Sequence, residues 1–335
     1  MTAGRILYLC YHRPKGALRK FIYVGGRRGE RLSQQGREEM ESAAYGLVAD
    51  SKESSDASAS LSNLVSAEQA SGKIHPLQVH TLAGRKHWFM VAFMLSSLRK
   101  QISRPLQAHV YDDGGGLDAE QKRVLGSLGV DFVFHEAAGV ETAVRDNFPE
   151  KQFPWILRLA ERNIMLRKVL GPHAGAQAGP KLYIDADILF FRQPSELTSW
   201  FDDPHGVLCA KDLMECYGYP REMLDRLAGV PLPSLVNAGI TGMCTEWLDW
   251  ERIEHWCGEL VEKFGENYYL EQALVATVAA RVGLCQLEPA RYLTLPTKKQ
   301  IQQGSGVAQH YVDISRHHYF RTAWRRFASL GSTAC

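Results

Sequence analysis

Asp185-Ala-Asp187 lies inside the apolar run Lys181-Leu-Tyr-Ile-Asp-Ala-Asp-Ile-Leu-Phe-Phe191. Such a run reads as a buried strand, and a buried strand avoids carboxylates because an unpaired buried ion costs several kcal/mol. The pair therefore needs a cation. Residues i and i+2 share one face of a strand, so a regular strand aims both carboxylates at one ion. Hard oxygen ligands suit Mg²⁺ or Mn²⁺, which keep coordination positions open for phosphate oxygens. The plainer alternative, two acids capping the turn at a strand end, leaves the burial cost unexplained.

The elements around this run must position it. From His75 onward the pattern alternates strand and helix: strands at Leu77–Leu82, Leu106–Tyr111, Asp131–Phe134 and Lys181–Phe191, and helices at Lys86–Arg99, Ala119–Leu128 and Phe153–Val169. Alternation of this kind predicts an α/β fold with a mostly parallel central sheet flanked by helices. Ligands in such sheets lie beyond the carboxyl ends of the strands. Before it come a basic stretch, residues 1–48, and a Ser-, Ala- and acid-rich stretch, 49–72, read as a linker. Residues 73–335 then form the main domain. Within the first stretch, Arg5–Tyr11 reads as a strand and Glu38–Val48 as a short helix, and Leu61–Ala70 reads as a helix inside the linker.

Lys181 to Leu197 resembles the metal-binding segment of GT-A-fold glycosyltransferases, nearest to the glycogenin and lipopolysaccharide-galactosyltransferase family. Further segments of the same resemblance follow in order: Val236-Asn-Ala-Gly-Ile240, Leu270-Glu-Gln-Ala-Leu274 (with Glu271 where the family has Asp) and Gln309-His-Tyr-Val312. Each is weak alone, and four in sequence carry more. The resemblance covers about His75 to Phe320. It departs late, where Asp313-Ile-Ser-Arg-His-His-Tyr319 replaces the family's Gly and Lys-Pro-Trp. It implies a GT-A (Rossmann-like) fold, a nucleotide-diphospho-sugar donor, a UDP-sugar in the first instance, and a glycan, lipid-linked or other glycoconjugate acceptor.

The resemblance also implies roles. Asp185 and Asp187 with His310 form the metal site, and Asp185 alternatively holds the donor ribose; mixed carboxylate and imidazole ligands tilt the ion towards Mn²⁺. Ala186 lies between the two acids in the donor site. Asn237, Glu271 and Gln272 line the sugar. Glu271 either orients sugar in a retaining reaction, to which the resemblance leans, or serves as base in an inverting one; its plain alternative is a carboxylate complementing a helix N-terminus. Arg316 takes the diphosphate contact of the missing Lys, its planar fork matching phosphate, with His317 as a second candidate. Lys168 approaches the diphosphate from the helix before the metal strand or, in its plain alternative, only complements the dipole at that helix's C-terminus. Thr81, Leu82 and Ala83 with Asp112 and Asp113 mark the strand ends where the nucleobase sits, although Asp112-Asp-Gly-Gly-Gly116 is equally a set of turn residues. Trp247, Trp250 and Trp256 offer rings to an acceptor or, at helical spacing, belong to the core.

The whole chain has 335 residues, 39 Lys and Arg against 37 Asp and Glu, and a formal net charge of +2. That balance excludes a general nucleic-acid binder. Basic residues concentrated in 1–48 read as a solvated face or as a peripheral contact with anionic lipid headgroups. Seven cysteines without a Cys-x-x-Cys pair read as free thiols of a cytoplasmic protein, with no signal peptide and no membrane helix. Two other classes compete with a transferase. A phosphohydrolase or nucleotidyltransferase requires more metal ligands for a two-metal site. A non-catalytic sugar-nucleotide-binding module binds the donor without turnover.

Overall fold

Mostly buried positions, as befits strands covered on both faces, shape the first two strands, Leu77–Ala83 (β1) and Leu106–Asp112 (β2), which pair in parallel over their whole length. The structure is a computed structural model that describes residues 26–53 and 75–331. The strand expected at Arg5–Tyr11 and the helix expected at Leu61–Ala70 lie outside the described residues.

The other strands are Asp131–His135 (β3), Pro180–Ile184 (β4), Ile188–Phe190 (β5), Val207–Lys211 (β6), Val236–Cys244 (β7), Leu284–Gln286 (β8), Tyr292–Thr294 (β9) and Ala308–His310 (β10). Seven form one sheet in the order β3-β2-β1-β4-β7-β6-β8. Its pairs are parallel except where β7 runs against β4 and β6. The remaining three form a small sheet, β5-β10-β9. The mostly parallel sheet expected from the alternation is present.

The helices are Gly26–Glu53 (α1), Trp88–Arg99 (α2), Ala119–Gly126 (α3), Ala137–Asn147 (α4), Pro154–Arg162 (α5), Arg167–His173 (α6), Ser195–Asp202 (α7), Arg221–Ala228 (α8), Trp250–Phe264 (α9), Leu270–Val282 (α10), Lys298–Gln303 (α11), Ser315–His318 (α12) and Trp324–Gly331 (α13). A π-turn, Tyr319–Ala323, joins the last two. They divide between two cores, as two-sided burial of a parallel sheet demands. One core holds α1, α2, α3 and α13 with Leu77, Val79 and Ala108; the other holds α4 to α6 and α8 to α10 with Tyr111 and Val236. Trp88 to Leu98 are all buried, which accounts for the apolar run of α2.

Three element boundaries differ from expectation. The helix expected at Glu38–Val48 is the longer α1, which crosses residue 48 and buries Met40 and Ala44 fully in the first core. The helix expected at Phe153–Val169 breaks at Asn163, whose side chain accepts from Met165 N–H and starts a separate turn at Ile164–Leu166. The strand expected at Lys181–Phe191 is two strands in two sheets, β4 and β5, with Asp185-Ala-Asp187 as the joint. Trp256 and Trp250 pack in the second core and against Phe148, and Trp247 meets Trp200 edge-on. The core reading of these tryptophans is the one the fold adopts.

Candidate active site

The joint between β4 and β5 lies at the carboxyl edge of the main sheet. Asp185 N–H still donates to Gly239 O of β7 at 2.8 Å, the last contact of β4 with that strand. Two residues later, Asp187 O accepts from Tyr311 N–H at 2.9 Å, and the chain continues as β5 beside β10. The change of partner frees both carboxylates from the pleat. They meet because the chain turns, not because they share one strand face.

The end of β10 brings His310 to them. One ligand atom each of Asp185, Asp187 and His310 lies within 4.8 Å of the others. His310 Nε2 is 3.2 Å from Asp187 Oδ1 and 3.8 Å from Asp185 Oδ2. The ring fits because residue 239 is glycine: a Cβ there would stand 2.2 Å from His310 Cε1.

The tautomer of His310 follows from its neighbours. Asn237 Nδ2 donates to Asp212 Oδ2 at 3.1 Å, and Asn237 Oδ1 accepts Gly239 N–H at 3.1 Å, so the amide orientation is set from both sides. The same Oδ1 lies 3.1 Å from His310 Nδ1, which must therefore be the donor. In the neutral ring Nε2 then carries the lone pair, and it faces two carboxylates. Three electron-rich atoms converging on one point suit a shared cation, and an oriented amide behind the imidazole is the usual support of a metal-bound histidine. This donor set fits Mn²⁺ or Mg²⁺.

Lys168 and Glu271 form the floor. Lys168 Nζ lies 3.0 Å from Asp185 Oδ1 and 3.6 Å from Glu271 Oε2, with both side chains almost sealed from solvent. Burial works to lower the Lys168 ammonium, and the Asp185 and Glu271 carboxylates reverse this and hold it above the ordinary lysine range. Burial pushes Glu271 up to about 7, against the pull of Lys168. For Asp187, burial works upward, and the His310 ring in its protonated form, with the Arg316 guanidinium, outweighs it and holds the carboxyl well below its usual range. Arg316, on α12, reaches Asp187 Oδ2 through Nη2 at 2.5 Å.

These groups border a cavity of about 450 Å³ whose lining includes Lys168, Asp185, Asn237, Glu271, Gln272, His310 and Arg316. Asp187 sits behind it, 5% exposed. Ala186 packs against the first core. The residues expected at the nucleobase end are not in the lining. Thr81 and Ala83 are buried, and Leu82 packs on the second core. Asp112 Oδ1 accepts Gly114 and Gly116 N–H, and Asp113 Oδ1 accepts Gly115 N–H, so both carboxylates serve the turn.

From the sequence, Asp212–Tyr219 reads as the start of an acceptor-facing region without individual roles, so Asp212, Leu213 and Met214 are not singled out, and Met165, Tyr268, Tyr269 and Leu295 carry no site reading; all seven are part of the lining. Asp212 carried a signal in its position directly after an apolar strand, β6. Leu213 and Met214 follow it, 63% and 60% exposed, and Tyr268 is 67% exposed. Together they make an apolar rim on a cavity whose floor is charged. Elsewhere among the described residues Cys209, Cys216, Cys244, Cys257 and Cys285 are free thiols, and no helix is long and apolar enough to cross a membrane.

No protein-family model and no curated protein matches the chain. Among solved structures it is similar to mouse xyloside xylosyltransferase 1 in its apo form, at 14% identity and a TM-score of 0.48 over 70% of this chain and 97% of that one. It is also similar to the galactosyltransferase LgtC in complex with donor and acceptor sugar analogues, at 16% identity and 0.49 over 77% and 96%. A third is the bifunctional glycosyltransferase WbbM, at 13% identity and 0.47 over 76% and 51%. At TM-scores under 0.5 these likenesses carry no further conclusion about this chain.

Proposed function

We propose that this chain is a metal-dependent glycosyltransferase that moves a sugar from a nucleotide-diphospho-sugar, a UDP-sugar, to a glycan, lipid-linked or other glycoconjugate acceptor. The observation that carries the reading is the convergence of Asp185, Asp187 and the Nε2 lone pair of His310 beside a cavity at the carboxyl edge of the sheet. Asp185, Asp187 and His310 would hold a divalent ion there, and it would supply positive charge to the two phosphates and to the leaving diphosphate.

The chain's own residues do the rest. Arg316 offers a guanidinium fork to phosphate oxygens. Asn237 and Gln272 turn amides towards the sugar, and Gln272 is steadied by donating to Cys216 O at 3.2 Å. Glu271, held by Lys168, orients sugar in a retaining transfer. The base lies towards the ends of β1 and β2, where Asp113 is the half-buried carboxylate. Leu213, Met214, Tyr268 and Tyr269 border the entrance and exclude water around the acceptor. A two-metal phosphohydrolase is the weaker reading, because Asp185, Asp187 and His310 are the one group of three such ligands among the described residues.

The test is thermal stabilisation by a panel of nucleoside diphosphates with and without Mn²⁺. A ligand at 100 times its Kd adds about 2.7 kcal/mol. The expected result is stabilisation by one nucleotide only when Mn²⁺ is present, lost in Asp187→Ala. An Asp187→Ala protein that binds nucleotide and metal as before would sink the proposal. Products separate the competing classes: a transferase releases sugar and nucleoside diphosphate slowly from the donor alone, a phosphohydrolase splits the diphosphate bridge to nucleoside monophosphate and sugar phosphate, and a binding module releases neither.

A further inference from the structure

Two cations reach the acidic joint, and they are held differently. Lys168 is 3% exposed in its side chain and is clamped between Asp185 and Glu271, so its charge is a fixed part of the floor. Arg316 is 51% exposed in its side chain and stands on the first turn, α12, of a helical run that continues through the π-turn into α13. That turn begins after Asp313, whose φ of 47° is left-handed for a residue with a side chain. Within the ion pair, Asp187 is 6% exposed and uses Oδ2 for the Arg316 guanidinium, while Oδ1 faces His310. A buried carboxylate with one oxygen already on a guanidinium is a poorer ligand for a second cation, because the two positive charges repel at short range.

Resting on the reading of the metal site above, we infer that Arg316 competes with the divalent ion for Asp187, and that the diphosphate of the nucleotide relieves the competition by drawing Arg316 to itself. The half-exposed Arg316 side chain lines the same cavity as Asp185, Asn237 and His310, so a diphosphate bound there lies within its reach. A diphosphate matches its planar fork with two parallel hydrogen bonds, which a single oxygen of Asp187 does not. Metal and nucleotide therefore bind cooperatively: each removes part of the obstacle to the other, and the coupling is the same seen from either ligand. Metal alone binds weakly, nucleotide alone binds weakly, and the pair binds well. Arg316 is in this sense a positioning residue that acts on the metal through Asp187.

Mn²⁺ binding decides the matter without any turnover. Free Mn²⁺ is titrated by electron paramagnetic resonance into the wild-type chain, Arg316→Ala and Arg316→Gln, with Asp187→Ala marking which binding belongs to the joint. Without nucleotide, both Arg316 variants are expected to bind Mn²⁺ roughly fivefold or more tightly than wild type, the lower end of ordinary coupling between two ligands. With UDP present, wild type tightens its hold on Mn²⁺ while the variants gain much less, and their affinity for UDP falls. Two neutral substitutes of different length guard against a packing defect in either one. Equal or weaker binding of Mn²⁺ alone in both Arg316 variants would overturn the inference while leaving the metal site standing. If no variant, wild type included, binds Mn²⁺ in a way that Asp187→Ala abolishes, the metal site itself fails and the inference goes with it.

Discussion

Asp185, Asp187 and His310 each sit where an isolated residue would be costly, and each is supported by a different kind of neighbour: Lys168 for Asp185, Arg316 for Asp187, and the Asp212–Asn237 pair for His310. Glu271 is the group left least compensated. Its carboxyl is pushed up to about 7 by burial, although Lys168 draws it down. The folded protein therefore keeps a proton on Glu271 that the unfolded chain releases near the ordinary value of 4.5. Its contribution to stability is full below that value and is lost as pH rises through about 7, by up to about 3 kcal/mol. Glu271→Gln should flatten this part of the curve, so that urea midpoints of the variant and wild type diverge between pH 5 and 8. A parallel course of the two midpoints would show that Glu271 is ionised throughout.

Among elements, α1 is the one whose packing departs furthest from its composition. Its sequence is polar, with Arg27, Arg28 and Arg31 exposed, yet it lies against α2 and the π-turn before α13. Arg37 Nη2 donates to Lys86 O at 2.6 Å, and Ser33 Oγ lies 2.9 Å from His317 Nδ1, next to Arg316. The close approach is made at Gly36, where a Cβ would stand 2.2 Å from Phe320 O. Gly46, on the same helix, has nothing within 4 Å. Alanine in a helix is worth roughly 1 kcal/mol over glycine. Gly46→Ala should therefore stabilise by about that amount, while Gly36→Ala should destabilise by about 1–3 kcal/mol, because the displaced atom is backbone. Denaturant midpoints of the two variants should move in opposite directions; movement in the same direction would mean that α1 does not rest on the π-turn.

At the scale of the whole molecule, the two cores bury several histidines along with the apolar side chains. His80 and His109 stack across β1 and β2 at 4.7 Å, and His109 stacks on His135 of β3 at 5.2 Å. Burial lowers all three, and likewise His173 to about 3 and His318 to about 4. A histidine held neutral in the fold is protonated first in the unfolded chain. The stability it contributes is present above pH 6.5 and lost as pH falls towards the lowered value, on the order of 5 kcal/mol for His173. Five such groups outweigh the opposite trend of Glu271, so urea midpoints should fall steeply between pH 6.5 and 4.5. His173→Gln should make that fall shallower; an unchanged slope would show that His173 is not the group protonated.

The α/β alternation, the mostly parallel sheet and the acidic pair were legible because they rest on local pattern: apolar runs of strand length, helical spacing, and carboxylates where burial forbids them. The amides at 237 and 272 were legible only through resemblance, and the histidine at 310 through resemblance together with its place between Gly304-Ser-Gly306 and a basic cluster. The split of Lys181–Phe191 was not legible, because both halves are equally apolar and only the choice of partner, β7 or β10, ends one strand and begins the other. The turn duty of Asp112 and Asp113 was one of two readings open in the sequence, and only their contacts with Gly114, Gly115 and Gly116 decide for it, whereas the support of His310 by Asp212 was not legible. These are contacts between residues far apart in the chain or between side chain and backbone. The sequence by itself determined the class of fold and the acids that demand a cation. Tertiary structure alone decided which imidazole nitrogen faces them, which lysine is sealed beneath them and which arginine stands free to leave, because each depends on where separate strands and helices end in space.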